Sequence, residues 1–183
     1  YSVNKEDMWI SRIPVPVEIN ASAHADDDFS KFGSIAELTN WNIYSPVWAP
    51  VSLEGAWLKL QDKDPFDYAK VERKIPASKE LKVSFDLLAE QNDKGRLQID
   101  FLDGNSIACS RLELTPDGIF RMKGGSRFAN MMNYEAGKTY HVEAVLSTAD
   151  RNIQVYVDGK RVGLRMFYAP VRKAIRSIVA TGA

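Results

Sequence analysis

Apolar and polar residues alternate along most of the chain that follows Val51. In five runs every second residue is apolar and its neighbours are charged or polar, over residues 68–75, 81–89, 96–101, 140–146 and 153–157. Leu112 and Leu114 flank Glu113 in the same way, and Arg73 interrupts the apolar series of the first run. Successive side chains of a β-strand point to opposite faces, so a period of two gives each strand one dry and one wet face. The pattern predicts a series of half-buried strands.

The breaks between these runs carry turn residues. Residues 92–95, 103–105, 116–118 and 158–160 each combine Gly with Asp, Asn or Pro, which favours tight hairpins. Strands joined by hairpins are antiparallel, and two sheets hide their dry faces by stacking. No long amphipathic helix interrupts the series. The sequence therefore predicts an all-β fold, an antiparallel β-sandwich of the jelly-roll type.

The first seventeen residues have a different pattern. Apolar residues such as Trp9 and Ile13 are mixed there with Pro14 and Pro16, which neither a helix interior nor a central strand accepts. We expect residues 1–17 to be an extended linker or edge segment, a remnant of a preceding domain, and the sandwich to occupy residues 18–183. The absence of a Met at Tyr1 also suggests a processed product or a fragment. Residues 20–30 are predicted as loop and residues 34–38 as a short helix.

Charge and composition exclude several kinds of partner. The 183 residues contain 24 Lys and Arg and 24 Asp and Glu, so the formal net charge is zero. A neutral chain has no bulk attraction to nucleic acid or anionic lipid, and we expect neither as a partner. No apolar run reaches the length of a membrane span. The single cysteine, Cys109, excludes an internal disulfide and a cysteine-based zinc site, and we expect it to pack as a small apolar residue.

Three segments resemble a known superfamily. Residues 134–142 (YEAGKTYHV) and 153–160 (IQVYVDGK) resemble the paired motifs G-x-W/Y-H-x-V and V-x-V-D/N-G of laminin-G-like sandwiches in the concanavalin A-like superfamily. Residues 58–73 are similar to a form of this sandwich found in bacterial polysaccharide-degrading enzymes. Residues 4–14 (NKEDMWISRIP) resemble the exit strand of a sialidase-like β-propeller.

The resemblance implies a location and partners as well as a fold. A concanavalin A-like sandwich that follows a propeller would be an accessory domain of an exported enzyme, at the cell surface, in the periplasm or outside the cell. Its partners would be a polysaccharide or other glycan and the neighbouring catalytic domain. From this we expect a non-catalytic carbohydrate-binding or structural accessory domain.

Sandwiches of this superfamily can also be enzymes, so catalytic spacing is the test. Glycosidases on this scaffold place acids as Glu-x-Asp-x-x-Glu on one strand, and this spacing does not occur here. Alginate-lyase-like sandwiches carry Gln-x-His, whereas Gln98 is followed two residues later by Asp100. The alternative is a glycoside hydrolase or polysaccharide lyase with a divergent active site on the concave sheet. A purely structural or protein-binding sandwich is a third reading.

Two sets of residues are candidates for binding sugar. Polar side chains on the wet faces of the strands would line a groove if several of them share one concave sheet; they are Glu72, Asp86, Gln98, Asp100, Arg111, His141 and Glu143. Aromatic rings stack on the apolar faces of sugars, which adds Trp41, Trp48 and Trp57. The alternatives are an ordinary solvated face for the first set and rings that close the sandwich edge for the second.

A calcium site is a weaker candidate. Asp62, Asp64 and Asp67 lie close together in one turn, and calcium prefers carboxylate and carbonyl oxygens. The spacing lacks the Gly and the distal Glu of an EF-hand loop. We expect no other cofactor.

Overall fold

The computed structural model describes residues 25–63, 66–172 and 174–182, together with the backbone of two short strands within the first eight residues. Two 3₁₀ turns, at Phe29–Lys31 and Ile35–Glu37, precede the main body. The strands are β1 (Ser2–Val3), β2 (Asp7–Met8), β3 (Trp41–Tyr44), β4 (Val51–Glu54), β5 (Trp57–Leu60), β6 (Ala69–Ser78), β7 (Glu80–Leu88), β8 (Leu97–Asp103), β9 (Ala108–Leu114), β10 (Ile119–Gly124), β11 (Arg127–Asn133), β12 (Thr139–Ser147), β13 (Asn152–Val157), β14 (Lys160–Met166) and β15 (Ile175–Gly182).

Two antiparallel sheets make up most of the described chain. Seven strands form the larger sheet in the order β11–β10–β9–β8–β15–β6–β3, and four form the smaller sheet in the order β14–β13–β12–β7. Short hairpins join neighbours such as β8 and β9 or β12 and β13. The last strand, β15, lies inside the larger sheet and pairs with β6 on one side and with β8 on the other. The predicted antiparallel sandwich is confirmed.

The main core lies between the two sheets. Phe101, Leu112 and Met122 of the larger sheet and Val142 and Ile153 of the smaller sheet are fully buried in one continuous cluster. On β12 and β13 the buried residues alternate strictly with more exposed ones, as their sequence period predicts. Cys109 is buried in this core, and burial raises the pKa of its thiol to about 12, so it is not a reactive thiolate.

A second, smaller core forms under the β4–β5 hairpin. Ala49, Val51, Ala69 and Val71 are buried there, beside the β3 and β6 edge of the larger sheet. Arg73 of β6 is also buried, and its Nε donates to Asp27 Oδ2 at 2.7 Å. The residue that interrupts the apolar pattern of β6 is therefore neutralised by the polar stretch before β3. That stretch is loop and 3₁₀ turn, close to what the sequence predicts.

Strands with irregular patterns were not predicted as elements. The β11 and β14 strands lack clean alternation, and register shifts interrupt the pairing of β10 with β11, of β13 with β14 and of β15 with both neighbours. The shift of β15 with β6 adds two residues to one strand. The shifts of β10 with β11, of β13 with β14 and of β15 with β8 each add one residue to one strand, which moves the following side chains of that strand to the other face. A period-two signal does not survive this change.

The first seventeen residues are described only in part. β1 pairs with β2 in antiparallel fashion, and the assignment of residues 1–17 as a linker or edge segment stays a prediction. Trp9, Ile13, Pro14 and Pro16 lie outside the described residues. In the described part of the chain, no helix has the length and apolar character needed to cross a membrane.

Candidate functional site

The outward side of the larger sheet presents a continuous polar surface, which we call the large-sheet face. Directly paired residues on neighbouring strands share a face. The strand register therefore places two adjacent rows on this side: Lys123, Arg111, Asp100, Val179, Glu72 and Asn42 in one, and Arg121, Glu113, Gln98, Thr181, Lys70 and Tyr44 in the other. Four of the predicted sugar-binding residues, Glu72, Gln98, Asp100 and Arg111, are brought together there.

Asp100 and Arg111 form a bidentate ion pair across β8 and β9. Arg111 Nε donates to Asp100 Oδ1 at 2.7 Å, and its Nη2 donates to Oδ2 at 2.8 Å. The hydrogen bonds to Asp100 raise the pKa of the Arg111 guanidinium. This parallel geometry fixes both side chains, because each carries two charge-assisted hydrogen bonds to the other. Nη1 of Arg111 has no hydrogen-bond partner among the described residues.

Glu113 lies beside this pair and is almost completely buried. Its side chain is 1% exposed although it points away from the core. Gln98 Nε2 donates to Glu113 Oε2 at 2.9 Å, Arg121 donates to Oε1 through Nε at 2.8 Å and through Nη2, and Arg96 Nε lies 3.6 Å from Oε1. The carboxylate is thus covered by the side chains that neutralise it.

Aromatic rings border these ion pairs on the β10–β11 side. The Arg121 guanidinium lies 4.2 Å from the centroid of the Phe128 ring, which remains 37% exposed. Lys123 Nζ lies 4.5 Å from the centroid of the Tyr168 ring and 5.9 Å from that of Phe128. Burial and the nearby Asp100 carboxylate raise the pKa of Tyr168 to about 12, so its hydroxyl keeps its proton and remains a donor.

Glu72 lies in the same row as Asp100, next to Asn42 of β3. Its Oε1 accepts from Lys74 Nζ at 2.6 Å, and the nearby polar side chains of Ser177 and Asn42 also favour its charged form. Burial opposes the charged form, but these interactions outweigh it, and the pKa of Glu72 is lowered from 4.5.

The other three polar candidates lie on the opposite side of the sandwich. On the outward side of the smaller sheet, the small-sheet face, Asp86 Oδ1 lies 2.8 Å from His141 Nδ1, and Glu143 Oε2 lies 2.7 Å from Lys82 Nζ. The side chains of Asp86 and His141 are 59% and 55% exposed. The seven candidates therefore do not share one groove.

The tryptophans are separate from both faces. Trp41 is half-buried, packs on Phe29 with ring centroids 5.6 Å apart and borders the second core. Trp57 on β5 and Trp48 in the loop before β4 are exposed. Neither belongs to a strand of the larger sheet.

The structure describes two of the three proposed calcium ligands, Asp62 and Asp67. Asp67 accepts a hydrogen bond from Tyr44 Oη at 3.0 Å and one from its neighbour's backbone N–H, while Asp64 lies outside the described residues. Within residues 25–63, 66–172 and 174–182, no three His, Cys, Asp or Glu side chains are placed to hold a metal together. Calcium binding here remains a prediction.

Several contributors to the large-sheet face were missed in the sequence. Arg121 and Lys123 alternate with Phe120 and Met122, so period two would have found them. Phe128 carries no comparable signal, because the register shift in β11 hides its orientation. Tyr168 follows β14 and is fixed by its backbone N–H, which donates to Cys109 O at 3.0 Å.

With this geometry in view, comparisons with known proteins identify the family. The family described as "Sialidase-like, CBM domain" matches residues 41–183. This chain belongs to that family. A sialidase-like CBM is a carbohydrate-binding module, which agrees with the concanavalin A-like sandwich seen here. No curated protein sequence matches the chain.

Solved structures give the context of this sialidase-like CBM domain. A sialidase chain is 92% identical to it, with a TM-score of 0.91 over 99% of this chain, and this chain spans only 17% of that sialidase. A chain from work on endo-acting O-glycanases of the human gut microbiota that initiate mucin breakdown is 15% identical, with a TM-score of 0.61 over 86% of this chain and 83% of that one. The carbohydrate recognition domain of Emp47p is 12% identical, with a TM-score of 0.52 over 78% and 79%. These two show a shared fold.

Proposed function

We propose that this domain is a non-catalytic, glycan-binding accessory module of an exported glycan-degrading enzyme, and that it binds through the large-sheet face. The family and the 92% identity to part of a sialidase support the accessory role. In this proposal residues 1–17 connect the module to a preceding catalytic domain, and the parent enzyme is of sialidase type.

One observation carries the choice of surface: the Asp100–Arg111 pair lies beside a second hydrogen-bonded group, Gln98, Glu113 and Arg121, on the same sheet face. Sugar hydroxyls need donors and acceptors that are already fixed in place, since ordering flexible side chains reduces affinity. Nη1 of Arg111 has hydrogens to donate, and the Asp100 carboxylate oxygens have lone pairs beyond those that accept from Arg111. Glu113, in contrast, is covered and serves to fix Arg121. Phe128 offers an exposed ring for the apolar side of a pyranose.

The same residues argue against bond cleavage at this face. A general acid must hold its proton near neutral pH, which requires a raised pKa. The carboxylates of Asp100 and Glu113 are paired with arginines, and the pKa of Glu72 is lowered. Charges held in pairs suit recognition of a neutral hydroxyl-rich surface better than proton transfer.

The test is glycan binding by the purified domain and two single variants. Arg111→Ala should reduce affinity for any glycan that the wild type retains on an array or in an affinity gel by about tenfold, since it removes charge-assisted hydrogen bonds. Arg151→Ala is the matched control, because Arg151 is an exposed arginine in the turn between β12 and β13. Equal retention of the two variants would contradict the assignment of this face. Glycan turnover by the isolated domain would contradict the accessory role.

A further inference from the structure

We infer a second binding site, for an anionic sugar group, in a groove between the edges of the two sheets. The groove has a volume of about 560 Å³ and opens between β11 of the larger sheet and β14 of the smaller one. Small-molecule sites are commonly of this size. The inference rests on the proposed function only in taking the ligand to be a sugar.

The shape of this groove follows from one close contact. At Gly163 the β14 strand approaches β10 and β11 so closely that a Cβ would lie 2.7 Å from Met131 Sδ and 2.8 Å from Met122 Cε. The groove is lined by the residues just before Gly163 on β14 and by the β13–β14 hairpin. The two edges therefore touch at Gly163 and leave space between them toward the hairpin.

The floor of the groove is apolar and its rim is cationic. Met131, Met132, Tyr140 and Val162 supply apolar surface. Lys138, Lys160 and Arg161 supply positive charge at the rim. Lys160 and Arg161 are exposed and form no ion pair with a carboxylate among the described residues. Lys138 is 3.2 Å from Glu135 and lies 5.1 Å from the centroid of the Tyr140 ring.

Asp158 is the only carboxylate that lines this groove in the described chain, and it is used in hydrogen bonds of the β13–β14 turn. Asp158 Oδ1 accepts from His141 N at 3.0 Å, and Asp158 N donates to His141 O at 2.9 Å. Asp158 and Gly159 have φ of 50° and 79°, the left-handed values of a type I′ hairpin turn. This turn fixes the backbone positions of Lys160 and Arg161 at the start of β14. The groove therefore keeps excess positive charge.

The charge distinguishes the groove from the large-sheet face. On that face Arg111 and Arg121 are paired with acids, whereas Lys160 and Arg161 are not. Unpaired cations over an apolar floor fit a pyranose that carries a carboxylate or a sulfate ester, with its C–H side on the floor. The Tyr140 hydroxyl accepts from Glu135 N at 2.9 Å and keeps its own proton to donate.

The test compares three sugars that differ only at carbon six: galactose, galacturonate and galactose 6-sulfate. Each is titrated into the ¹⁵N-labelled domain, and amide shifts are followed at residues 131–132 and 158–162 and at residues 98–111. We expect either or both anionic sugars, but not galactose, to shift the groove amides, with affinity that falls as salt is added. The double variant Lys160→Gln/Arg161→Gln should weaken this binding about three- to tenfold.

A matched double variant controls for net charge. Lys79→Gln/Arg151→Gln removes the same number of positive charges and should leave binding unchanged. The two residues lie away from the groove, in turns that are joined by the hydrogen bond from Thr148 N to Lys79 O. The inference is overturned if neither anionic sugar shifts the groove, if galactose shifts it equally, or if the two double variants behave alike. It is also overturned if inorganic sulfate reproduces the shifts at the same concentration, or if they track protein concentration through self-association.

The two sites fail independently. Loss of glycan binding in Arg111→Ala with intact groove shifts supports both assignments. If the anionic sugars shift the groove amides but Arg111→Ala binds glycans as the wild type does, the groove site is supported. The assignment of glycan binding to the large-sheet face is then contradicted.

Discussion

On the large-sheet face the Glu113 side chain is 1% exposed, whereas on the small-sheet face the Asp86 and His141 side chains are more than half exposed. Both sets of residues occupy polar positions of strands that alternate with period two. Both form ion pairs or hydrogen bonds of similar length across neighbouring strands. Their accessibility to solvent nevertheless differs widely.

The position of each residue within its sheet explains the difference. Glu113 pairs with Gln98 on one side and with Arg121 on the other, so long side chains from both neighbouring strands close over it. His141 pairs with Asp86 on β7 only, because β13 has already ended at Val157 and turned at Asp158. Long polar side chains bury one another where a strand is flanked on both sides, and they remain solvated where a sheet ends.

The largest expected effect is a difference between the two faces in how much unfolding free energy is lost when a carboxylate is removed. Glu113→Ala leaves Arg121 and Gln98 without their acceptor and should lower the free energy of unfolding by about 2–3 kcal/mol. Glu143→Ala, the matched change on the small-sheet face, removes a pair with the exposed Lys82 and should cost less than about 0.5 kcal/mol. Urea unfolding at neutral pH measures both values. Equal losses would mean that burial of Glu113 contributes nothing.

A smaller effect concerns acid stability. The pKa of Glu72 is lower in the folded protein than its ordinary value of 4.5, because donated hydrogen bonds outweigh the cost of burial. The stabilisation is therefore fully present above pH 4.5 and is lost as the pH falls through the lowered pKa. Glu72→Gln should cost about 1 kcal/mol at neutral pH and less at acid pH, where wild-type Glu72 is also uncharged.

Unfolding curves at a series of pH values test this dependence, with Glu143→Gln as the control. The difference in unfolding free energy between wild type and Glu72→Gln should shrink below pH 4.5. A difference that stays constant from neutral to acid pH would show that the charge on Glu72 does not stabilise the fold.

The fold could be predicted because alternation acts within each strand. Val142, Ala144 and Leu146 are all buried, as their spacing predicts, and the turn residues mark where the strands end. The composition of a face could not be predicted in the same way, because it depends on which strands are neighbours. Asp86 and Asp100 look alike in sequence, yet they lie on opposite sides of the sandwich.

Register shifts set a second limit. Phe128 pairs with Lys123 and contacts Arg121, but the shift after Phe120 breaks the alternation of β11, so the sequence pattern does not reveal which way Phe128 points. Arg73 interrupts the apolar series of its strand, but Asp27, far away in sequence, neutralises it. In both cases a local pattern is overridden by a contact that only the assembled sheets create.

The smallest expected effect is on the small-sheet face itself. His141→Gln removes an exposed pair with Asp86, and we expect a change of less than about 0.5 kcal/mol in unfolding free energy because exposed pairs contribute little. The backbone N–H of His141, which donates to Asp158 and supports the hairpin, is retained in this variant. Glycan binding at the large-sheet face and anion shifts in the groove should both persist, measured by the same array and titrations. Loss of glycan binding in His141→Gln would move the binding surface to the other side of the sandwich, since the His141 side chain reaches neither the network around Glu113 nor Phe128.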